Sequence, residues 1–286
     1  MIGMTIAITG AGGFLGQSLI NKIVQQTSWN VIAFTSSFGG GNDTARLIYY
    51  NNDRLEEVLR DNDIDIILHL AFSRRFRSST EIAMSIDFSY RVYKSALNNK
   101  CRVVNLSTVG IYGQNETFLS EKDLPAPDSL YSMAKYASEV LLESVFSGQE
   151  ERVTNLRLSG IAQSQRVLPI FIEQAKTVGK INIQGGTQQF SWIDIDDATE
   201  AIIALFRYTG EWKPIYNVTL NRYRYSIVEV ANIVAEVAKE KGYKSTEISV
   251  TPSDMTVYVG WNSDLFMQDT GWYPRVTLKE TIRKMF

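Results

Sequence analysis

The sequence predicts an α/β fold built on a doubly wound parallel sheet, with a small C-terminal lobe. Short apolar segments alternate with longer segments of helical periodicity, and a glycine-rich turn joins the first strand to the first helix. Strands that alternate with helices form βαβ units, whose parallel strands are covered by helices on both faces. With 286 residues, the chain is long enough for one large domain with a satellite.

Strands and helices alternate through the first half of the chain. Residues 4–9 and 64–70 are apolar along most of their length, which is typical of strands buried on both faces. From residue 14 to 27, apolar side chains recur at helical spacing. The further predicted strands are residues 31–34, 47–50, 102–106 and 153–158. The further predicted helices are residues 55–59, 81–98 and 131–146.

The second half keeps its helices, but its strands are more scattered and no linker-like stretch precedes it. We expect residues 1–160 to form the sheet domain and residues 161–286 a smaller lobe, partly interleaved with the first and separated from it by a cleft. The predicted helices of this half are residues 168–177, 197–208, 227–241 and 278–285, and its predicted strands are residues 181–183, 190–195 and 215–218.

The composition excludes several classes of function. Lys and Arg number 29 against 31 Asp and Glu, so the net charge of −2 gives no electrostatic case for binding nucleic acid or an anionic membrane. A single Cys and a single His exclude a disulfide framework and argue against a metal site. No apolar run approaches the about 20 residues of a membrane span, and the N-terminus lacks a basic signal-peptide region. These features predict a soluble, cytoplasmic protein.

The glycine-rich turn reads Gly10-Ala11-Gly12-Gly13-Phe14-Leu15-Gly16 and lies between the first strand and the first helix. Gly10 allows a tight turn, Gly13 allows backbone to approach a pyrophosphate, and Gly16 allows the helix to pack closely. The N–H groups of the helix N-terminus then face the phosphates. The turn therefore predicts a Rossmann-like dinucleotide site, which assigns residues 1–160 to dinucleotide binding.

The form of the dinucleotide is left open by the sequence. An acid about 20 residues after the glycine turn usually holds the ribose 2′-hydroxyl of NAD. Here Phe34-Thr35-Ser36-Ser37 follows the second strand, without an acid, and no Lys or Arg occurs between Lys22 and Arg46. We therefore predict NAD or NADP as the cofactor.

Tyr131 and Lys135 are spaced by one helical turn and predict an acid/base pair. A free phenol has a pKa of about 10, which is too high for a base at neutral pH. A nearby ammonium favours the phenolate and lowers that pKa, so Tyr131 can exchange protons at neutral pH. Thr108 ends a strand at the edge where parallel sheets bind ligands, and its hydroxyl is a candidate partner of the same substrate oxygen.

These motifs together resemble the extended short-chain dehydrogenase/reductase family, in its NAD(P)-dependent epimerase/dehydratase branch that acts on nucleotide sugars. His69-Leu70-Ala71 resembles the end of the family's fourth strand, and Trp192-Ile193-Asp194-Ile195-Asp196-Asp197 resembles its aromatic segment before a helix. Tyr216-Asn217-Val218, followed by Tyr225-Ser226-Ile227, resembles its substrate-lobe strand and helix. The resemblance runs along the whole chain.

The resemblance implies a mechanism and a set of site residues. Thr108, Tyr131 and Lys135 would be catalytic: Tyr131 would exchange a proton with a sugar hydroxyl or carbonyl, Lys135 would also bind the nicotinamide ribose, and Thr108 would orient the reacting oxygen. A hydride would pass between a sugar carbon and the nicotinamide. The implied cofactor contacts are Gly10, Gly13, Phe14, Leu15, Gly16, Thr35, Ser36, Leu70, Ala71, Ser107, Tyr131 and Lys135.

Two departures from the family bear on the substrate. Family 4,6-dehydratases usually carry Asp-Glu after the catalytic Thr, but Val109-Gly110 stands here, which argues against a dehydratase. Many family epimerases carry an Arg before the Asp-Asp pair, where Phe190-Ser191 stands here. Replacement anion contacts are candidates in two basic clusters, although each is also typical of a solvated surface. The clusters are Arg74, Arg75 and Arg77 after the fourth strand, and Arg222 and Arg224.

We therefore predict an NAD(P)-dependent epimerase of a nucleotide-linked sugar. The alternatives are a reductase of a keto-sugar or other carbonyl compound and a non-catalytic dinucleotide sensor, which the presence of Thr108, Tyr131 and Lys135 disfavours. We interpret His69, at the end of an apolar strand, as structural or cofactor-adjacent, and we interpret Asp196 and Asp197 as helix caps. Family resemblance also predicts a homodimer, formed by the helices around 81–98 and 131–146 and supported by apolar Val140, Leu141 and Val145.

Overall fold

Parallel strands form the central sheet of the computed structural model, which describes residues 3–36, 43–73, 78–254 and 257–286. The strands in these ranges are β1 Thr5–Thr9, β2 Asn30–Thr35, β3 Leu47–Asn51, β4 Ile66–His69, β5 Arg102–Thr108, β6 Val153–Leu158, β7 Gly160–Ile161, β8 Lys180–Gln184, β9 Gln189–Phe190, β10 Trp192–Ile193, β11 Ile215–Val218, β12 Tyr225–Ser226 and β13 Glu247–Thr251. The α-helices are α1 Phe14–Gln26, α2 Leu55–Asp61, α3 Ser79–Asn98, α4 Leu130–Val145, α5 Val167–Thr177, α6 Ile195–Arg207, α7 Ile227–Glu240, α8 Asp264–Thr270 and α9 Leu278–Met285.

The main sheet has seven strands within the described ranges, in the order β11-β6-β5-β4-β1-β2-β3. β1 pairs in parallel with β2 and β4, and the parallel pairing extends outward to β3 and β5. The strand order reverses at β1, so the carboxyl ends of β1, β2 and β4 meet where a doubly wound sheet binds its ligand. The α/β fold with a doubly wound parallel sheet is confirmed.

Alternate residues of the central strands build the core on one face of this sheet. Ala7 of β1, Phe34 of β2, Ile67 of β4 and Val103 of β5 pack with apolar residues of α2, α3 and α4, among them Tyr93, and are fully buried. Successive residues of β1 and β4 are buried, so both faces of these strands are covered. This explains why their sequences are apolar almost without interruption.

The chain divides into two compact units. The first comprises Met1–Ile111, Pro125–Arg157 and Ile202–Tyr216, and it contains the glycine-rich turn, α3 and α4. The second comprises Tyr112–Leu124, Leu158–Ala201 and Asn217–Phe286, and its core packs α5, α7 and α9 with β8. The domain boundary predicted between residues 160 and 161 stays a prediction.

The single strand predicted at residues 190–195 is wrong. β9 pairs with β12, β10 pairs with β7, and α6 begins at Ile195. Asp194 ends the extended stretch because its carboxylate accepts a hydrogen bond of 2.7 Å from the Asp196 N–H. Asp194 therefore caps the helix, whereas Asp197 accepts N–H groups of Arg275 and Val276.

Candidate active site

Gly10 turns the chain from β1 toward α1 in a conformation that other residues rarely adopt. Its φ is +72°, in the left-handed region that favours glycine. A Cβ at this position would lie 2.7 Å from the backbone nitrogen of Ala71 and 2.9 Å from the carbonyl carbon of Leu70. Both the turn and the approach of the chain after β4 therefore require glycine here.

Gly13 and Gly16 shape the start of α1. The Gly13 N–H donates to the Gly10 carbonyl at 3.0 Å, and no side chain caps the helix. A Cβ on Gly16 would lie 2.5 Å from the Gly10 oxygen, so the turn itself, more than the sheet, excludes a side chain there. An uncapped helix N-terminus presents its first-turn N–H groups to an anion such as a pyrophosphate.

The glycine-rich turn opens onto a cleft of about 700 Å³ at the carboxyl edge of the sheet. The cleft has the size of a cofactor site. Its glycine cradle has no room for a Cβ at Gly10 or Gly16, and its helix N-terminus has no side-chain cap, so the residues present fit a dinucleotide. The predicted cofactor contacts that line it are Gly10, Gly13, Thr35, Ser36 and Ala71.

The other predicted cofactor contacts lie around this cleft or beyond it. Leu15 and Gly16 are buried in α1, whereas Phe14 is 52% exposed. Leu70 follows β4, and its N–H donates to the Thr9 carbonyl at 3.2 Å. Ser107 is buried at the end of β5, and no hydrogen-bond partner for its hydroxyl occurs in the part of the chain that the structure describes.

His69 holds the end of β4 against β1 and α3. Its Nδ1 lies 2.8 Å from the Thr9 hydroxyl, and its Nε2 lies 2.9 Å from the Ser89 hydroxyl. Ser89 donates its own proton to the Ser85 carbonyl, so we assign the proton to Nε2 and acceptance from Thr9 to Nδ1. Burial, and then the charge of Lys135, lowers the pKa of His69 to about 3, which keeps the imidazole neutral.

The Thr9 hydroxyl also accepts the Ala71 N–H at 3.4 Å. One chain of hydrogen bonds therefore links the end of β1, just before Gly10, to Ala71, the residue that packs against Gly10. Sequence reasoning interpreted His69 as structural but missed its partners. The spacing of Thr9, His69 and Ser89 along the chain carries no local signal.

Lys135 is a buried cation on α4. Its side chain is 2% exposed, and its Nζ donates to the Leu106 carbonyl at 2.6 Å. The same Nζ lies 4.1 Å from the centroid of the Phe72 ring, which is cation–π geometry. These two contacts fix the position of the positive charge one helical turn from Tyr131.

Phe72 joins the cleft to the tyrosine–lysine pair, and sequence reasoning missed it. The ring lines the cleft, and its centroid lies 6.3 Å from that of Tyr131 at an interplanar angle of 78°. Tyr131 itself is half-buried in the first turn of α4, after the capping residue Ser129. An aromatic side chain immediately after Leu70-Ala71 was the available signal, but only the fold brings it to α4.

Thr108 ends β5 and leads into the 3-10 turn Val109–Tyr112. Its Oγ1 accepts the Gly110 N–H at 3.1 Å. A hydroxyl that accepts through a lone pair keeps its own proton for donation to another oxygen. Thr108, Tyr131 and Lys135 belong to the same compact unit as the glycine-rich turn.

The predicted arginine contacts have three different outcomes. Arg74, Arg75 and Arg77 lie outside the described residues. Arg222 forms a surface ion pair with Asp264 at 2.6 Å. Arg224 donates to the carbonyls of Glu116 and Thr117 at 3.1 and 2.9 Å, so its guanidinium already holds a loop of the second unit. The predicted substrate role of these arginines stays a prediction.

The described ranges lack a metal-binding cluster and a membrane-spanning helix. They contain no cluster of three or more His, Cys, Asp or Glu side chains able to hold a metal ion. Within the same ranges, every helix is too short or too polar to cross a membrane.

Comparison with known proteins agrees with the family resemblance. The dTDP-4-dehydro-6-deoxyglucose reductase of Escherichia coli is 22% identical, over 98% of this chain and 96% of the relative. The dTDP-glucose 4,6-dehydratase of Shigella flexneri is 24% identical, over 98% of this chain and 91% of the relative. The crystal structure of a UDP-glucuronic acid 4-epimerase from Bacillus cereus in complex with NAD has the same fold, with a TM-score of 0.79, 19% identity and coverage of 98% of this chain and 94% of that one.

Residues 6–219 match the model of the NAD dependent epimerase/dehydratase family. This match covers well over half of the chain and includes the glycine-rich turn, Thr108, Tyr131 and Lys135. The resemblance inferred from the motifs is therefore confirmed, and the chain belongs to the NAD-dependent epimerase/dehydratase family.

Proposed function

We propose that the chain is an NAD(P)-dependent epimerase of a nucleotide-linked sugar, with Tyr131 as its acid/base. The observation that carries the proposal is the buried ammonium of Lys135, held between the Leu106 carbonyl and the Phe72 ring one helical turn from Tyr131. Phe72 also lines the cleft that begins at the glycine-rich turn. A dinucleotide cleft beside a lysine-supported tyrosine suits oxidation and reduction of a carbinol carbon.

Tyr131 takes the proton of the sugar hydroxyl and returns it to the carbonyl oxygen in the reverse direction. The positive charge of Lys135 favours the phenolate because opposite charges nearby stabilise the ionised form. Lys135 acts from a fixed position because its two contacts leave the ammonium little freedom. The nicotinamide, when bound, supplies a reversible hydride acceptor.

Thr108 orients the reacting oxygen. Its Oγ1 accepts the Gly110 N–H, so the hydroxyl proton remains available for donation to a ligand oxygen. Ser107 is buried beside it with an acceptor and a donor that suit a hydroxyl of the cofactor's ribose. These two roles, like that of Tyr131, are part of the proposal.

The cofactor is a nicotinamide dinucleotide. The glycine cradle and the uncapped N-terminus of α1 support this part of the proposal. The Bacillus cereus protein, whose fold this chain shares, is a UDP-glucuronic acid 4-epimerase that was crystallised with NAD. We therefore propose a nucleotide sugar as the substrate of this chain as well.

A 4,6-dehydratase is the activity we propose against. Elimination of water from a sugar needs an acid and a base beside the oxidised carbon. Val109 and Gly110 follow Thr108, and neither residue has a side chain that can donate or accept a proton. An assay with a dTDP- or GDP-hexose should therefore yield no 4-keto-6-deoxy product.

The second candidate is a reductase of a keto-sugar, which the similarity to the Escherichia coli reductase favours. Absorbance at 340 nm distinguishes the two because an epimerase returns the hydride and a reductase consumes it. We expect interconversion of two sugar epimers with no net change in absorbance. Stoichiometric oxidation of NADH or NADPH would show that the chain is a reductase and would exclude the epimerase activity.

Replacement of Tyr131 tests the shared mechanism. Tyr131→Phe removes one oxygen and should lower kcat by about a hundredfold or more, the usual contribution of a positioned acid/base. Tyr136→Phe removes the same atom from a half-buried tyrosine on the same helix and should leave kcat unchanged. Full activity of Tyr131→Phe on an identified substrate would exclude the mechanism.

We also propose a homodimer formed through α3 and α4. The two helices pack on each other, and together they expose Met84, Tyr90, Leu130, Met133 and Val140. Val140 is 48% exposed, whereas Leu141 and Val145 pack against the core. Sedimentation equilibrium should give twice the chain mass, and Val140→Lys should shift it toward the monomer; a monomeric wild-type protein at micromolar concentration would exclude the dimer.

A further inference from the structure

A carboxylate lies in the turn that follows β3, the strand beside β2, whereas Ser36 and Ser37 after β2 carry none. In the parallel pair of β2 and β3, Thr35 lies opposite Asn51. The chain continues from Asn51 into the 3-10 turn Asn52–Arg54. Asn51, Asn52 and Asp53 therefore line the same cleft as Thr35 and Ser36.

This turn presents hydrogen-bond acceptors to the cleft. The Asp53 N–H donates to the Asn51 side chain at 3.0 Å, which orders the turn, and the Asp53 carboxylate is exposed. The Asn52 Oδ1 is buried, and the described part of the chain provides no donor for it. Acceptors of this kind suit the hydroxyl and amino groups of an adenosine, whereas a carboxylate repels a phosphate.

The other charged residues that line the cleft include two further carboxylates. Glu81 and Asp87 line it from α3. Arg91 is the one basic lining residue in the described ranges, and Glu56 engages it through two bonds of 2.7 and 2.9 Å. A guanidinium committed to a carboxylate in this way is a poor partner for a phosphate.

The basic residues that flank β3 are committed as well. Arg46 donates to the Thr27 and Val24 carbonyls at the far end of α1, and Arg54 pairs with Glu57 at 2.6 Å. Residues 37–42, between β2 and β3, contain neither Lys nor Arg. Residues 37–54 therefore offer a 2′-phosphate beside Thr35 no Lys or Arg that is not already bound to another group.

We propose that Asp53 makes the cleft selective for NAD over NADP, an inference that rests on the proposed function of the cleft as the dinucleotide site. Asp53 accepts a hydrogen bond from an adenosine ribose hydroxyl and repels a phosphate at the 2′ position. The carboxylate reaches the site from the 3-10 turn after β3, whereas Ser36 and Ser37 after β2 supply none.

Titration calorimetry of the full chain with NAD⁺ and with NADP⁺ tests the inference. We expect NAD⁺ to bind at least about tenfold more tightly, in keeping with the repulsion between a carboxylate and a nearby dianion near the surface. Asp53→Asn should strengthen NADP⁺ binding by about the same factor and leave the unfolding midpoint within a degree or two, because Asp53 is exposed.

Asp63→Asn is the matched control. It removes the same charge from an exposed aspartate in the same compact unit, beside a depression that Thr5 and Asn30 line at the amino ends of β1 and β2. This variant should leave both affinities unchanged. Equal effects of the two substitutions, or wild-type affinity for NADP⁺ that equals or exceeds that for NAD⁺, would overturn the inference while leaving the dinucleotide site intact. Binding of neither dinucleotide would overturn the proposed function itself.

Discussion

Gly10→Ala should be one of the most damaging single-methyl substitutions in the first unit. The alanine must adopt a φ of +72°, which costs about 1–2 kcal/mol for a residue with a Cβ. Its Cβ must also lie 2.7 Å from the Ala71 nitrogen and 2.9 Å from the Leu70 carbonyl carbon, unless the backbone moves. Relief of such overpacking adds about 1–3 kcal/mol, so we expect a loss of about 2–5 kcal/mol of unfolding free energy.

Two other glycines separate these contributions. Gly148 has a φ of +82°, and a Cβ there would meet nothing within 4 Å, so Gly148→Ala carries the backbone strain alone. We expect it to lose about 1–2 kcal/mol. Gly12 has an ordinary φ, and its Cβ would approach only the Thr35 methyl at 3.9 Å, so Gly12→Ala should be nearly neutral in stability.

Equilibrium unfolding in urea, followed by circular dichroism, measures the three free energies on one scale. Gly10→Ala should be the most destabilising variant, followed by Gly148→Ala and then Gly12→Ala. Gly10→Ala should also weaken dinucleotide binding, whereas Gly148→Ala should not. If Gly10→Ala loses no more stability than Gly148→Ala, the approach of Leu70 and Ala71 to the turn is not a constraint, and our account of the cradle is wrong.

Three further predictions concern buried polar groups of the same unit. Phe72→Leu should lower kcat by about two- to thirtyfold, because it removes a cation–π contact of about 0.5–2 kcal/mol from Lys135. Phe72→Tyr keeps the aromatic ring and should retain the activity, and an equal loss in both variants would contradict this reason. His69 has a folded pKa of about 3 against an ordinary value of about 6.5, so the stability that depends on its neutral imidazole is complete above pH 6.5. Up to roughly 4–5 kcal/mol of unfolding free energy is lost as the pH falls to 3. His69→Gln should therefore make the urea midpoint less dependent on pH between 6.5 and 3, and an unchanged pH dependence would refute the assignment of a buried, neutral imidazole. Glu139 and Arg157 form an ion pair at 2.7 Å, with both side chains 1% exposed. Glu139→Ala leaves a buried guanidinium unpaired and should lose about 3–5 kcal/mol of unfolding free energy, whereas the double variant Glu139→Met/Arg157→Met should lose clearly less. A double variant as unstable as the single one would show that the unpaired charge is not the cause of the loss.

Elements with a strong local pattern were predicted well from the sequence. Val153–Leu158, Ile215–Val218 and Leu278–Met285 begin and end where their apolar patterns do. The sequence reasoning missed β13 and α8 because a strand of five residues with polar alternate positions and a helix of seven residues carry little periodicity. It mistook residues 190–195 for one strand because the Asp194 cap, which starts α6, acts through a hydrogen bond rather than through an apolar pattern.

The candidate site divides along the same line. The glycine-rich turn and the spacing of Tyr131 and Lys135 are local features, and the cofactor class and acid/base chemistry were predicted from them. Phe72 was not predicted, since its contact with Lys135 depends on the segment after β4 lying against α4 in the fold. Asp53 was not predicted either, because it reaches the cleft from β3 rather than from the expected strand.

The sequence by itself determined the fold class, the family and the candidate chemistry, because periodicity, glycine spacing and a one-turn tyrosine–lysine pair are short-range properties of the chain. Only the tertiary structure decided which side chains surround those motifs. The hydrogen bond between Thr9 and His69 joins residues 60 positions apart, and no local pattern encodes such a pairing. Burial in the folded sheet, which removes competing water, is what makes that pairing and the neutral imidazole stable.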